Sequence, residues 1–226
     1  MPTLLLKLVA PMQSWGVQSN FTHRDTGFEP SKSGVIGLIC AALGRDRAEP
    51  IDDLAALKMG VRVDRQGVVL KDYHTAKDVL KAGGGIKGTE LSDRFYIADA
   101  AFLVGFEGKE TDRALLEKIQ YHLRHPVWML FLGRKAFPPS EPIWIANEKG
   151  TPDGIRELPL REALEKGHAR LRLSGQGDNR ARLVLEDGQG DIARPDQPIC
   201  FTKGARQFTV RRVKVDFFSL ETQSKE

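Results

Sequence analysis

Hydrophobic residues in this chain follow two different periods. Thr3 to Val9 is apolar at almost every position, with Lys7 the one interruption. A run of that kind at the start of the chain predicts a central strand, covered on both faces. Further on, Val35, Leu38, Ile39, Ala42 and Leu43 recur at the three- and four-residue spacing of one buried helical stripe. Ser31 or Ser33 suits the cap of that helix and Gly44 its end. Gly34 and Gly37 lie inside it against propensity, which predicts close approach to a sheet or a ligand. Met59 to Val63 and Val68 to Leu70 read as short strands around the turn Asp64-Arg65-Gln66-Gly67. Ala100 to Phe106 is a second strongly apolar strand. Leu115, Leu116, Ile119 and Leu123 mark a second helix, with Thr111 as its cap and Asp112 in its first turn. Val127 to Leu132, after Pro126, is expected to be a third core strand.

The order of these elements is β-α-β-β-α-β, which places the chain in the α+β class with a ferredoxin-like arrangement. Residues 73 to 94 stand apart from it. They hold Lys77, Lys81, Lys87, Arg94 and the run Gly83-Gly84-Gly85, with few large apolar side chains, and so are expected to protrude as a mobile basic segment. Pro138, Pro139, Pro142 and Pro152 mark either a domain boundary or an irregular crossing. Beyond them, Leu171-Arg172-Leu173, Arg182 to Leu185, and the alternation of Val213, Val215 and Phe217 with Arg212, Lys214 and Asp216 predict a C-terminal part that is mostly β.

Composition adds little until charge is located. Of 226 residues, 41% are hydrophobic and 28% charged, values of an ordinary globular chain. No apolar run approaches a membrane span, and Met1 to Leu8 lacks the basic start of a signal peptide, so no membrane partner is expected. The two cysteines, Cys40 and Cys200, cannot form a metal cluster or a disulfide framework, which fits a reducing cytoplasm and implies neither metal nor cofactor. The net charge of +4 is small, but its distribution is uneven. Lys203 to Val215 carries Lys203, Arg206, Arg211, Arg212 and Lys214 with no acid, and Gly167 to Val184 carries Arg170, Arg172, Arg180 and Arg182 against Asp178 alone. A solvated basic face explains this as readily as a nucleic-acid partner does.

Several residues carry candidate chemistry. Asp72-Tyr73-His74-Thr75 brings an aromatic ring, an imidazole and a hydroxyl to the base of the protrusion. Such groups can activate a ribose 2′-OH or stack on splayed bases, and equally can anchor a turn. Trp15, beside Gln13 and Ser14, suits stacking next to hydrogen bonds, though a buried tryptophan is more often core. Gly133-Arg134-Lys135 sets two cations where the strand Val127 to Leu132 would end. The histidines have no metal-ligand spacing, and there is no Walker loop, nucleophile elbow or zinc-protease motif.

Taken together, these pieces resemble a known family. Leu8-x-Ala10-Pro11-Met12-Gln13-Ser14-Trp15-Gly16, then Pro30-Ser31-x-Ser33-Gly34-x-x-Gly37-Leu38, Asp72-Tyr73-His74-Thr75, Leu132-Gly133-Arg134-Lys135 and Arg206-Gln207-Phe208 occur in order over nearly the whole chain. The set is similar to the Cas-five-type subunits of type I-E CRISPR Cascade, in the RAMP superfamily. The resemblance implies an RRM-like body over 1–135, a β-hairpin thumb inserted at about 73–98, and a smaller C-terminal β region over 136–226. It implies a noncatalytic subunit that binds the 5′ handle of CRISPR RNA and caps the backbone filament, with target DNA nearby. The backbone subunit and the large PAM-reading subunit are the implied partners. The RNA contacts it implies are Gln13, Trp15, His23, Arg24, Ser31, Ser33, Tyr73, His74, Lys77, Lys81, Lys87, Arg94, Arg134, Lys135, Arg206 and Gln207. At Lys135 the chain departs from the family's usual run, keeping the charge without a guanidinium's bidentate geometry. The alternatives are a metal-independent endoribonuclease using Tyr73 and His74 on precursor RNA, and a protein-interaction module whose basic surface is incidental.

Overall fold

The computed structural model describes residues 1–17, 22–169, 171 and 180–219. The first strand, β1 (Thr3–Gln13), alternates between two cores. Leu4, Leu6, Leu8 and Ala10 belong to the larger one, Leu5 and Val9 to the smaller. Burial on both faces is why its apolar run is almost unbroken. A two-residue strand, β2 (His23–Arg24), precedes α1 (Lys32–Leu43). α2 (Asp52–Ala55) and β3 (Lys58–Arg65) follow. β4 (Val68–Leu80) and β5 (Ile86–Glu107) pair antiparallel from Leu80↔Ile86 to Val68↔Ala98. β5 then continues into the core between β1 and β3, with Phe106 opposite both Leu4 and Met59.

A short 3-10 turn, Glu110–Asp112, leads into α3 (Arg113–Arg124). The expected cap, Thr111, lies inside that turn. Asp112 precedes α3 and its carboxylate accepts from the Lys109 amide at 2.7 Å. β6 (Ile155–Arg156), α4 (Leu160–Lys166), β7 (Arg180–Glu186), β8 (Ile192–Cys200) and β9 (Gln207–Ser219) complete the order. Among the described residues the strands form one sheet, β6-β1-β5-β3-β7-β9-β8, with β2 and β4 joined to the outer part of β5. Helices α1 and α3 supply residues to the larger core and α4 to the smaller. Gly60 and Gly105 let α4 sit close, since a Cβ on either would come within 2.7–2.8 Å of Leu164 or Leu160. No helix among the described residues is long and apolar enough to cross a membrane.

Two expectations are corrected. Val127 to Leu132 is not a strand. Its backbone turns to α1 instead: the Val127 amide donates to Ala42 O at 3.0 Å and the Trp128 amide to Ala41 O at 3.1 Å, adding donors at the helix end beside the Gly44 amide that already reaches Ala41 O. The outer edge of β1 is occupied by the proline-rich crossing, with Ser140 N donating to Val9 O, Lys7 N to Ile143 O and Leu5 N to Gly154 O. Residues 73–94, expected to be mobile, form most of the regular β4–β5 hairpin. Their backbone groups pair across the ladder although few side chains are buried. Strands Met59–Val63, Ala100–Phe106 and Arg182–Leu185 lie within β3, β5 and β7. The predicted strand Leu171-Arg172-Leu173 falls mostly outside the described residues. β8, with Pro195 and Pro198 inside it, shows no strand-like alternation and forms through its ladder with β9.

Two buried ion networks hold the layers together. Arg62 is fully buried and gives both ends of its fork to Asp64 at 2.7 and 2.9 Å. It also donates to Leu164 O, His168 O and Ala169 O, tying α4's C-terminal end to β3. The second network joins α1 to the C-terminal strands. Ser31 occupies the α1 N-cap position but makes no side-chain cap; the Lys32 amide donates instead to Asp196 Oδ2 of β8 at 2.8 Å. Asp196 also takes two bonds from Arg211 of β9, at 2.7 and 3.0 Å. The buried Lys32 ammonium pairs with Glu186 of β7 at 2.9 Å. Burial lowers the Lys32 pKa, and Glu186 opposes that shift.

Breaking either network leaves a desolvated charge, which costs about 3–5 kcal/mol. Arg62→Ala is expected to lower unfolding free energy by about that amount in urea titration, and Asp196→Ala by a similar amount. Asp196→Asn, which keeps an acceptor for the Lys32 amide, should lose less than Asp196→Ala. A loss below about 1 kcal/mol for both alanine variants would mean that the networks are solvated.

Candidate nucleic-acid interface

A cleft of about 800 Å³ opens where four segments meet. One wall is α1 and the turn after it, through Ser33, Gly34, Gly37, Leu38, Ala41, Arg45 and Arg47. A second is the irregular segment Trp128, Met129, Phe131, Gly133, Arg134 and Lys135. The β8–β9 connection adds Phe201, Arg206 and Phe208, and the stretch after β1 adds Ser14, Trp15, Gly16, Arg24 and Asp25. Its charges are six cations (Arg24, Arg45, Arg47, Arg134, Lys135, Arg206) against Asp25 and Asp46.

Each wall is positioned by a local constraint. Trp15 is a buried pillar: its indole N–H donates to Gln13 Oε1 at 3.1 Å, and a Cβ on Gly34 would come within 3.0 Å of its ring. Gln13 is fully buried, with its amide donating to Leu8 O and Ala100 O. The structure thus gives Gln13 and Trp15 the work of holding α1 against β1, and little of either is exposed to the cleft. Gly133 has φ +94°, and a Cβ there would overlap the Ser14 carbonyl oxygen. Only glycine lets this turn press onto the end of β1.

That turn delivers Arg134. Its Nη2 donates to Phe95 O at 2.8 Å and Arg24 O at 3.2 Å, leaving Nε and Nη1 without a hydrogen-bond partner among the described residues. The guanidinium lies 5.7 Å from the Phe137 ring. Arg24 and Arg94 sit opposite one another in the β2–β5 register. Burial, then the positive charges of Arg94 and Arg24, push the Arg134 pKa down. Asp72 and Asp25 oppose that shift, so the three guanidinium groups are partly compensated and the excess positive charge still favours an anion.

The predicted residues separate into groups. Trp15, Arg24, Ser31, Ser33, Arg134, Lys135 and Arg206 line the cleft. Tyr73, His74, Lys77, Lys81 and Lys87 lie on the hairpin, with Tyr73 exposed and Lys87 paired to Glu90. Arg94 and His23, whose ring packs on Phe95, link hairpin and cleft. Gln207 begins β9 opposite Cys200 and is exposed. Within the basic C-terminal stretch, Arg211 is internal rather than part of a solvated face. Arg45, Arg47, Trp128, Met129 and Phe201 were not singled out from the sequence; the run Arg45-Asp46-Arg47 directly after the α1 terminator was the available signal.

The geometry carries binding better than it carries chemistry. Among the described residues no histidine or tyrosine lines the cleft, and burial pushes the lining thiol of Cys40 up to about 11. Tyr73 and His74 are successive residues of β4, opposite Asp93 and Ser92, so their side chains leave opposite faces of the ladder. One phosphate cannot meet both in this geometry. Cations interleaved with apolar surfaces suit a single nucleic-acid strand, its phosphates on the arginines and its bases on the rings.

The chain is 30% identical over 157 residues to "CRISPR system Cascade subunit CasD" of Escherichia coli (strain K12), covering 64% of this chain and 70% of that one. A Cas protein of known crystal structure is 43% identical, with a TM-score of 0.76 over 97% of this chain and 96% of its own. A chain of a CRISPR RNA-guided surveillance complex is 32% identical, with a TM-score of 0.76 over 96% of this chain and 90% of its own. Residues 3–214 match the family model of the CRISPR-associated protein Cas5, and the chain belongs to that family.

Proposed function

We propose that this chain is the CasD-type subunit of a Cascade surveillance complex and holds the 5′ handle of CRISPR RNA in the cleft without cutting it. The observation that carries this is the convergence of Arg24, Arg134, Lys135 and Arg206 from separate stretches of chain around one cleft that also exposes Trp128, Met129 and Phe208. Cations of this kind provide affinity, and exposed rings provide sequence-tolerant stacking.

The strand order β6-β1-β5-β3 supports a reading as a ferredoxin-like body. In this reading residues 1–135 supply β1, β3, β5, α1 and α3 of that body, the first part of residues 136–226, the crossing segment and β6, fills its fourth-strand edge, and β7, β8 and β9 form the smaller β region that closes the cleft. The β4–β5 hairpin is the thumb. Its lysines and the exposed Leu80 and Ile86 near its tip suit docking to the backbone subunit. The large PAM-reading subunit, with target DNA nearby, is the neighbour at the handle end, in the cytoplasm.

Arg206 gives the cleanest test, being exposed and outside both buried networks. Arg206→Ala should weaken handle binding and reduce the slope of log K against log[salt] by about 0.7, the value for one phosphate of a single strand, at unchanged melting temperature. An unchanged affinity and slope would remove Arg206 from the interface. Purified protein incubated with repeat RNA in EDTA should leave it intact, and His74→Ala should change no cleavage rate. Metal-independent cutting that His74→Ala abolishes would establish the endoribonuclease instead.

A further inference from the structure

Gly37 sits inside α1, where glycine is less favourable than alanine. Three other glycines near the cleft have internal reasons: Gly34 gives room to the Trp15 ring, while Gly44 and Gly133 have positive φ. Gly37 has neither reason. Its backbone is helical, and a Cβ built on it meets no heavy atom within 4 Å. Nothing inside the protein requires a missing side chain at this position.

Gly37 does line the cleft. Other segments lining that cleft present Trp128, Met129 and Phe208, which are 48%, 76% and 43% exposed. Arginines from four separate segments surround the same space. A flat, apolar-faced, anionic occupant fits these surfaces, and a bare stretch of helix backbone lets it approach more closely than any side chain would.

We infer that Gly37 is a specificity-determining contact, where an unpaired ribonucleotide of the bound strand packs directly against the α1 backbone. The inference rests on the cleft being the RNA site. It adds that the absent side chain serves the ligand, and that helix stability is given up for it. Deepening the cleft by one side chain on this wall admits a nucleotide that alanine or leucine would displace.

The test uses the full chain and the RNA that co-purifies with it, sequenced and resynthesised with a fluorophore. Gly37→Ala and Gly37→Leu are compared with Arg206→Ala by anisotropy and by thermal melting. Gly37→Ala should leave Tm unchanged or raise it by about 2 °C, because alanine is the better helix former. Its Kd should rise about threefold and that of Gly37→Leu about thirtyfold, as expected for overpacking a contact. A protein that is more stable and binds RNA less well is the signature a purely structural role would not produce. If Gly37→Leu lowers Tm by itself, the alanine variant decides. Wild-type affinity in Gly37→Ala and Gly37→Leu, with Arg206→Ala weakened, overturns the inference and leaves the RNA site standing. Wild-type affinity in all three variants overturns both. Unchanged RNA affinity with loss of complex assembly would mean that a protein segment packs on Gly37, and would also overturn it.

Discussion

A carboxylate buried between α1 and β9 constrains much of this molecule. Asp196 accepts the first amide of α1 and both arms of Arg211, and next to it Lys32 reaches Glu186. Charges removed from water are tolerated only when each has its partner. The N-terminus of α1 therefore cannot drift from β7, β8 and β9 without exposing or orphaning one of them. Two walls of the cleft, α1 and the β8–β9 connection, hang on this joint, so their separation is set before any ligand arrives. A preformed site loses less entropy on binding than one that must close.

The second constraint is the sheet itself. β5 is long enough to serve two purposes: its C-terminal half is core between β1 and β3, and its N-terminal half projects with β4 as a hairpin. Arg94 and Phe95 sit near the junction, and Arg134 binds the Phe95 carbonyl there. Hairpin and cleft thus share a strand and an arginine. A ligand bound at Arg134 and a partner seated on the hairpin would act on the same length of backbone.

Where local pattern and burial coincide, the elements are readable from residues. β1, β3 and the inner half of β5 are apolar because they are covered, and α3 shows its stripe because one face meets the core. Gly44 ends α1 as expected, in the left-handed conformation. Val127 to Leu132 has a strand's composition, yet the helix end nearby offers its amides partners first. β8 carries two prolines and no alternation, and forms because β9 supplies the ladder. Residues 73–94 look unable to build a core, and they build none; backbone pairing across the hairpin orders them instead.

For the candidate site the division is similar. Arg134, Arg206, Ser31 and Ser33 are recognisable in short motifs, since a glycine turn, a helix entry and a basic run each leave a local mark. Gln13 and Trp15 belong to the same motif, but folding turns them inward, and the indole of Trp15 spends its N–H on Gln13. That Asp196 caps a helix 164 positions earlier in the chain is invisible in any window of sequence. Residue types and their periods decide which segments become strand, helix or turn, because those choices depend on near neighbours. Which side chains share a cleft, and which cation stays free to meet an anion, depends on who else occupies the same buried volume, and only the packed chain decides that.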